Sequence, residues 1–142
     1  MTRIDFYSNA EPKLQIACRL VARLVQQQLR VVVFAPDEEI SRGFDNLLET
    51  YQVPGCGPHR VAHHAAFFET PVAIAREDAD MAHYQVILNL HADSPPSFSR
   101  FERLVELVGT GDGDRQLARS RFRFYRDRGY EINHYDLSKS SV

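Results

Sequence analysis

Short unbroken apolar runs alternate along this chain with longer segments in which apolar residues recur every three or four positions. Residues 3–7 read as a first strand, and Pro12 suits the first turn of a helix carrying Leu14, Ala17, Cys18, Val21, Leu24 and Val25 on one face. Val31-Val-Val-Phe-Ala35 follows without alternation, which fits a strand covered on both faces, as in a parallel sheet. Pro36-Asp37 then opens a second helix with a buried stripe of Ile40, Phe44, Leu47, Leu48 and Tyr51, stopped by Val53-Pro54-Gly55. A loop is expected over residues 52–60. Val72–Ala75 and Val86–Leu90 supply further strands, joined by an acidic connection at Glu77–Asp80.

The spacing Ser99-Arg-Phe-Glu102 is that of a capping box and predicts a helix over Phe101, Leu104, Val105 and Val108. Gly109, Gly111 and Gly113 would break that helix and link it to the next, which Asp112 or Asp114 can cap and Gly129 can end in a left-handed conformation. The last alternating stretch, Tyr130–Leu137, reads as an edge strand. At least four strands alternating with helices imply right-handed crossovers and helices on both faces. The expected fold class is therefore α/β, a single-domain, three-layer Rossmann-like sandwich with a mostly parallel sheet. It is expected to span 1–137, ahead of a short polar tail at 138–142.

Charge changes the picture at one place. Between Arg115 and Arg128 lie six arginines and a single acid, Asp127, interleaved with Phe122, Phe124 and Tyr125, so that the segment carries +5. The chain of 142 residues has 17 Lys+Arg and 19 Asp+Glu, leaving 11 basic and 18 acidic residues elsewhere, a net of −7. A cationic, aromatic helix on an acidic body invites an anionic partner, while the acidic body argues against wrapping a long nucleic acid. The N-terminus has no signal-peptide pattern, and no apolar run approaches the ~20 residues of a membrane span. A soluble, cytoplasmic chain with no membrane partner is expected. Cys18 reads as a small core residue and Cys56 as an incidental thiol in a Gly/Pro loop.

Motifs of nucleotide chemistry are missing. There is no Gly-x-Gly-x-x-Gly after the first strand, no Gly-x-x-x-x-Gly-Lys loop and no Gly-x-Ser-x-Gly elbow. Gly109-Thr-Gly-Asp-Gly113 reads as a linker between helices. His59, His63 and His64 are the nearest approach to a metal cluster, without a cysteine pair to complete it, and ordinary loop histidines are the better reading. His83, His91 and His134 stand alone in sequence and read as structural. Asp37, Glu38 and Glu39 read as acids favoured by a helix N-terminus. No catalytic residue, cofactor or metal is expected.

The arginine helix can be tested on a wheel at ~100° per residue. With Arg115 at zero, Arg119 falls at about 40°, Phe122 at about −20°, Arg123 at about 80° and Arg126 at about 20°. Leu117, Ala118, Phe124 and Tyr125 lie opposite and form the expected core stripe, with Arg121 and Arg128 intruding there to reach a rim or pair with body acids. Three readings of the cationic face compete: a solvated surface, a single-strand binding face, and a socket for a short acidic peptide with a hydrophobic end. The third fits best. Forked guanidinium groups grip carboxylates, while Phe122 and Val108 offer an apolar pocket; a single-strand platform would need more than one aromatic on the face.

At these same residues the chain resembles the chi subunit of bacterial DNA polymerase III. The likeness is carried by Ile16-Ala-Cys-Arg-Leu20, Arg30-Val-Val-Val-Phe34 with Asp37, Pro58-His59, Val86-Ile-Leu-Asn-Leu90 and Phe101-Glu-Arg-Leu-Val-Glu-Leu107. It continues through Arg115-Gln-Leu-Ala-Arg119, Tyr125-Arg126 and Gly129-Tyr130, in order and over nearly the whole chain.

The resemblance implies a Rossmann-type accessory subunit without catalytic activity, which joins the clamp loader and holds the acidic C-terminal tail of single-stranded DNA-binding protein. Its tail site falls here on Val108, Arg115, Arg119, Phe122 and Arg123, with Arg126 as a possible contributor. Phe122 replaces a family tyrosine, and Arg115 and Arg123 replace lysines, keeping charge and adding bidentate geometry. The family surface for a second partner, the psi subunit or a helicase, falls on Glu49, Cys56, Pro58 and His59. Glu49 and Cys56 stand where that surface uses aromatic anchors, so the resemblance alone does not extend to psi binding, and whether psi or a helicase is bound stays open at this point. The expectation is a non-catalytic adaptor between the replicase and coated single-stranded DNA, without strong nucleic-acid binding of its own. The alternative is an enzyme acting on a nucleotide or nucleic acid.

Overall fold

Residues 1–51, 70–77 and 83–139 are described by the structure, a computed structural model. The elements run β1 (Arg3–Ser8), α1 (Lys13–Gln26), β2 (Val31–Phe34), α2 (Glu38–Glu49), β3 (Val72–Ala75), β4 (Val86–Asn89), β5 (Arg103–Leu107), α3 (Asp112–Asp127) and β6 (Glu131–Asp136). The described strands form one sheet in the order β3-β2-β4-β5-β1-β6, and every pairing is parallel.

The unbroken apolar runs are explained by this sheet, because successive side chains point to opposite faces and both faces are covered. Val31, Val33, Val86, Leu88, Val105 and Leu107 pack into the core beneath α1 and α2. Val32, Phe34, Ile87, Leu104, Ile4 and Phe6 pack into a second core beneath α3. The three-layer α/β sandwich expected from the alternation of elements is the fold observed.

One element differs. Residues 103–107, expected to be helical, form the central strand β5, with Leu104 opposite both Ile4 and Ile87. Four successive residues, Leu104 to Leu107, are buried, which a one-sided helix cannot achieve over so short a run. Apolar residues in a strand buried on both faces fall by chance at helical spacings, so periodicity alone could not decide. Nor does Ser99 open a helix. Phe98–Arg100 make a single 3-10 turn, after which the amides of Glu102 and Arg103 both donate to the Gln85 carbonyl and draw the chain into the sheet.

Helix ends follow local chemistry. Asp37 caps α2, its Oδ1 accepting from the Ile40 amide at 3.1 Å. Gly129, at φ 81°, closes α3 as expected, while the Tyr130 amide returns to the Tyr125 carbonyl. At the start of α3 the cap is Gly111, without a side-chain bond, instead of Asp112 or Asp114. Among the described residues, no helix is long and apolar enough to cross a membrane.

Candidate functional site

Strand β1 lies between β5 and β6. The chain leaving β1 turns into α1 on one face of the sheet, and the chain leaving β5 turns into α3 on the other. Two neighbouring strands whose connections part to opposite faces leave a crevice at their carboxyl ends, where open α/β sheets bind ligands. Here that crevice is a cleft of about 460 Å³. Phe6, Val108 and Ala118 give it an apolar base. Arg115, Arg119 and Phe122 line it from α3, Ser8, Asn9 and Gly109 from the strand-end turns, and His134 from β6.

The segment Gly109–Gly113 is thus a strand-to-helix turn, not a linker between helices, because β5 precedes it. Asp114 Oδ2 accepts from the Gly109 amide at 2.6 Å, and Lys13 Nζ lies 2.9 Å from the same oxygen. A Cβ at position 109 would stand 3.2 Å from that oxygen, so glycine allows the close approach. Burial works to raise the Asp114 carboxyl, but the bonds from Lys13 and the Gly109 amide outweigh it and hold the group below its usual range. The acid that would oppose an anion at this helix start is in this way engaged by partners of its own.

The phase of α3 is fixed from beneath. Arg121 and Tyr125 are buried and converge on Glu106, which β5 carries to the α3 side. Arg121 Nε donates to Glu106 Oε1 at 3.0 Å and Tyr125 Oη to Oε2 at 2.5 Å. Asn89 Nδ2 reaches both carboxylate oxygens at 3.1 Å, and Arg121 Nη1 also donates to the Ala92 carbonyl at 2.7 Å. Burial pushes the Glu106 carboxyl up, opposed by Arg121 and by the donors of Tyr125 and Asn89. With Arg121 and Tyr125 held inward, the helix turns Arg115, Arg119 and Phe122 toward the cleft. Phe122 packs edge-on against Phe6 at 5.9 Å between ring centroids.

Of the residues expected from sequence, Val108, Arg115, Arg119 and Phe122 meet in this one cleft. Arg123 is exposed and does not line it. Arg126 is exposed and paired with Asp127 at 3.2 Å. Leu117, placed on the core stripe by the wheel, is instead 44% exposed; the buried stripe runs through Ala118, Arg121 and Tyr125. Arg128 lies over the Phe124 ring, 3.6 Å from its centroid. Glu49 is exposed in the last turn of α2, whereas Cys56, Pro58, His59, His63 and His64 lie outside the described residues.

Sequence reasoning missed the far side of the cleft. His134 stands alone in sequence, yet β1 and β6 pair in register so that it lies beside Phe6, with Nε2 3.0 Å from Ser8 Oγ. Asn9 takes a left-handed conformation at φ 56°, which asparagine tolerates. Its side-chain Nδ2 donates to Asp136 Oδ1 at 2.7 Å while its Oδ1 accepts from Arg115 Nη2 at 3.4 Å. No local pattern marks these residues, because only the parallel pairing of the two ends of the chain brings them together. The Glu106–Arg121 pair did leave a signal: a lone acid inside an apolar run and one of two arginines intruding on the core stripe, of opposite sign.

Two forked guanidinium groups beside an apolar floor suit an anionic group carried next to an apolar side chain. A sequence model of the family described as "DNA polymerase III chi subunit, HolC" matches residues 1–133. The chain is 34% identical over 143 residues to DNA polymerase III subunit chi of Pseudomonas aeruginosa, covering 98% of this chain and 99% of that protein. Its counterpart in Escherichia coli is 26% identical over 133 residues, covering 93% and 88%. The C-terminal domain of S. cerevisiae Dbp5, solved bound to Gle1 and IP6, superposes with a TM-score of 0.62 over 96% of this chain and 90% of that one. At 10% identity that likeness concerns the fold alone. By its sequence and over nearly its whole length, the chain belongs to the DNA polymerase III chi subunit family.

Proposed function

We propose that this chain is a non-catalytic adaptor of the DNA polymerase III clamp loader, and that its cleft holds the acidic C-terminal tail of single-stranded DNA-binding protein. The observation that carries the reading is the convergence of Val108, Arg115, Arg119 and Phe122 on one cleft at the switch point of the sheet. The apolar floor takes the hydrophobic end of the tail, and the guanidinium groups of Arg115 and Arg119 take its terminal and side-chain carboxylates. Arg123 and Arg126, exposed beyond the cleft, add to the field that attracts the acidic residues further from the tail's end. Glu49 offers no aromatic anchor for psi, so the link to the replicase runs through another surface.

Calorimetric titration with a peptide copying the tail of the organism's own single-stranded DNA-binding protein tests this. Arg119→Glu and Phe122→Ala should each weaken binding by about tenfold or more, the size of a lost hot spot. Unchanged affinity in both variants would remove the site from consideration.

A further inference from the structure

The cleft has a wall that no residue expected from sequence supplies. Strand β6 is the sheet edge beside β1, and its exposed His134 lines the same cleft as Arg115, Arg119 and Phe122. The imidazole is positioned by Ser8, whose Oγ is 3.0 Å from Nε2. We propose that His134 is a further binding residue of the cleft, a third cation whose charge is taken up when an acidic peptide docks. This rests on the acidic-tail reading of the same site.

Arginine is charged at every accessible pH, whereas an imidazole changes charge between roughly pH 5 and 8. The charged and titratable groups around His134 come from each neighbouring element. Arg115 and Arg119 stand on α3 along the same cleft. Asp136 lies two residues along β6 on the same face, its carboxylate engaged by Asn9 and Ser138. Glu131 lies nearer the start of β6 and Lys139 beyond its end. From β1 come only Phe6 and the neutral Ser8. Peptide carboxylates in the cleft offset the arginines and add negative charge beside the ring, which favours its charged form. Binding therefore takes up a proton, and by linkage affinity rises as pH falls through the imidazole range.

The test is calorimetric titration of the same tail peptide at pH 6 and pH 8 into the wild type, H134Q and R119E, repeated in buffers of different ionisation enthalpy. The wild type should bind about two- to fivefold tighter at pH 6, the range an exposed ion pair supplies, with net proton uptake at pH near 7. H134Q, which cannot take up the charge, should bind more weakly than the wild type at pH 6 and show neither the pH gain nor the proton uptake. A flat wild-type profile, or a gain that survives in H134Q, overturns the role of His134. If R119E loses affinity as expected while H134Q matches the wild type at both values of pH, this inference falls and the tail site stands. Absence of binding to the wild type at every pH overturns both.

Discussion

At the scale of single residues, the most consequential group is one that touches no partner. Glu106 is fully buried, and its carboxylate is satisfied by Arg121, Tyr125 and Asn89. A buried ion pair adds little against an apolar replacement of both partners, but removing one partner leaves the other charge stranded. Glu106→Leu should therefore destabilise the protein by about 3–5 kcal/mol in urea unfolding; a loss below about 1 kcal/mol would mean that Arg121 escapes to solvent at little cost. Because burial raises the Glu106 carboxyl, the native state binds its proton more tightly than the unfolded chain does. Its own contribution to stability is then largest at acid pH and is lost as pH rises through the folded value. Half of this network was legible, since the wheel placed Arg121 inward among core residues. Its partner was hidden because the run containing Glu106 read as a helix, and a helix would have pointed that carboxylate elsewhere.

Elements were legible where local chemistry and burial agree. The capping aspartate of α2, the glycine that ends α3, the all-apolar strand β2 and the apolar run that opens β4 are written in the residues themselves. Strand β5 was not, because what makes it a strand is the presence of β1 and β4 on either side, and neither lies near it in sequence. That misreading also concealed the strand-to-helix turn at Gly109–Gly113, and with it the carboxyl-end position of the cleft. The turn depends on Asp114, which ties the Gly109 amide and Lys13 to the first turn of α3. Asp114→Asn should cost roughly 0.5–1 kcal/mol, as expected for an acid at a helix N-terminus. Asp114 titrates below its usual range, so its stabilisation is present above the unfolded carboxylate value of ~3.9 and fades as pH falls through the folded one. Thermal unfolding of wild type and variant should converge on acidification; a constant gap down to about pH 2 would contradict this.

For the whole molecule, the −7 body and the +5 segment set the terms of association. An acidic peptide is drawn to one face and repelled by the remainder, which favours correct orientation on encounter. Between 0.1 M and 1 M salt the screening length falls from ~10 Å to ~3 Å, so tail affinity should drop by about tenfold or more over that range. Affinity that does not change with salt would assign the binding to the apolar floor alone. The sheet order carries a different consequence. Strand β1 pairs with β5 and β6, Arg3 meeting Arg103 on one side and Glu131 on the other, while β2 pairs with β3 and β4, and β4 joins this group to β5. During synthesis the middle of the chain can assemble while the first strand waits for neighbours made about a hundred residues later, an entropic delay that slows folding. The cleft takes its floor from Phe6 and a wall from His134, so it is complete only once β6 has paired with β1. On the ribosome the cleft therefore stays incomplete until β6 has emerged.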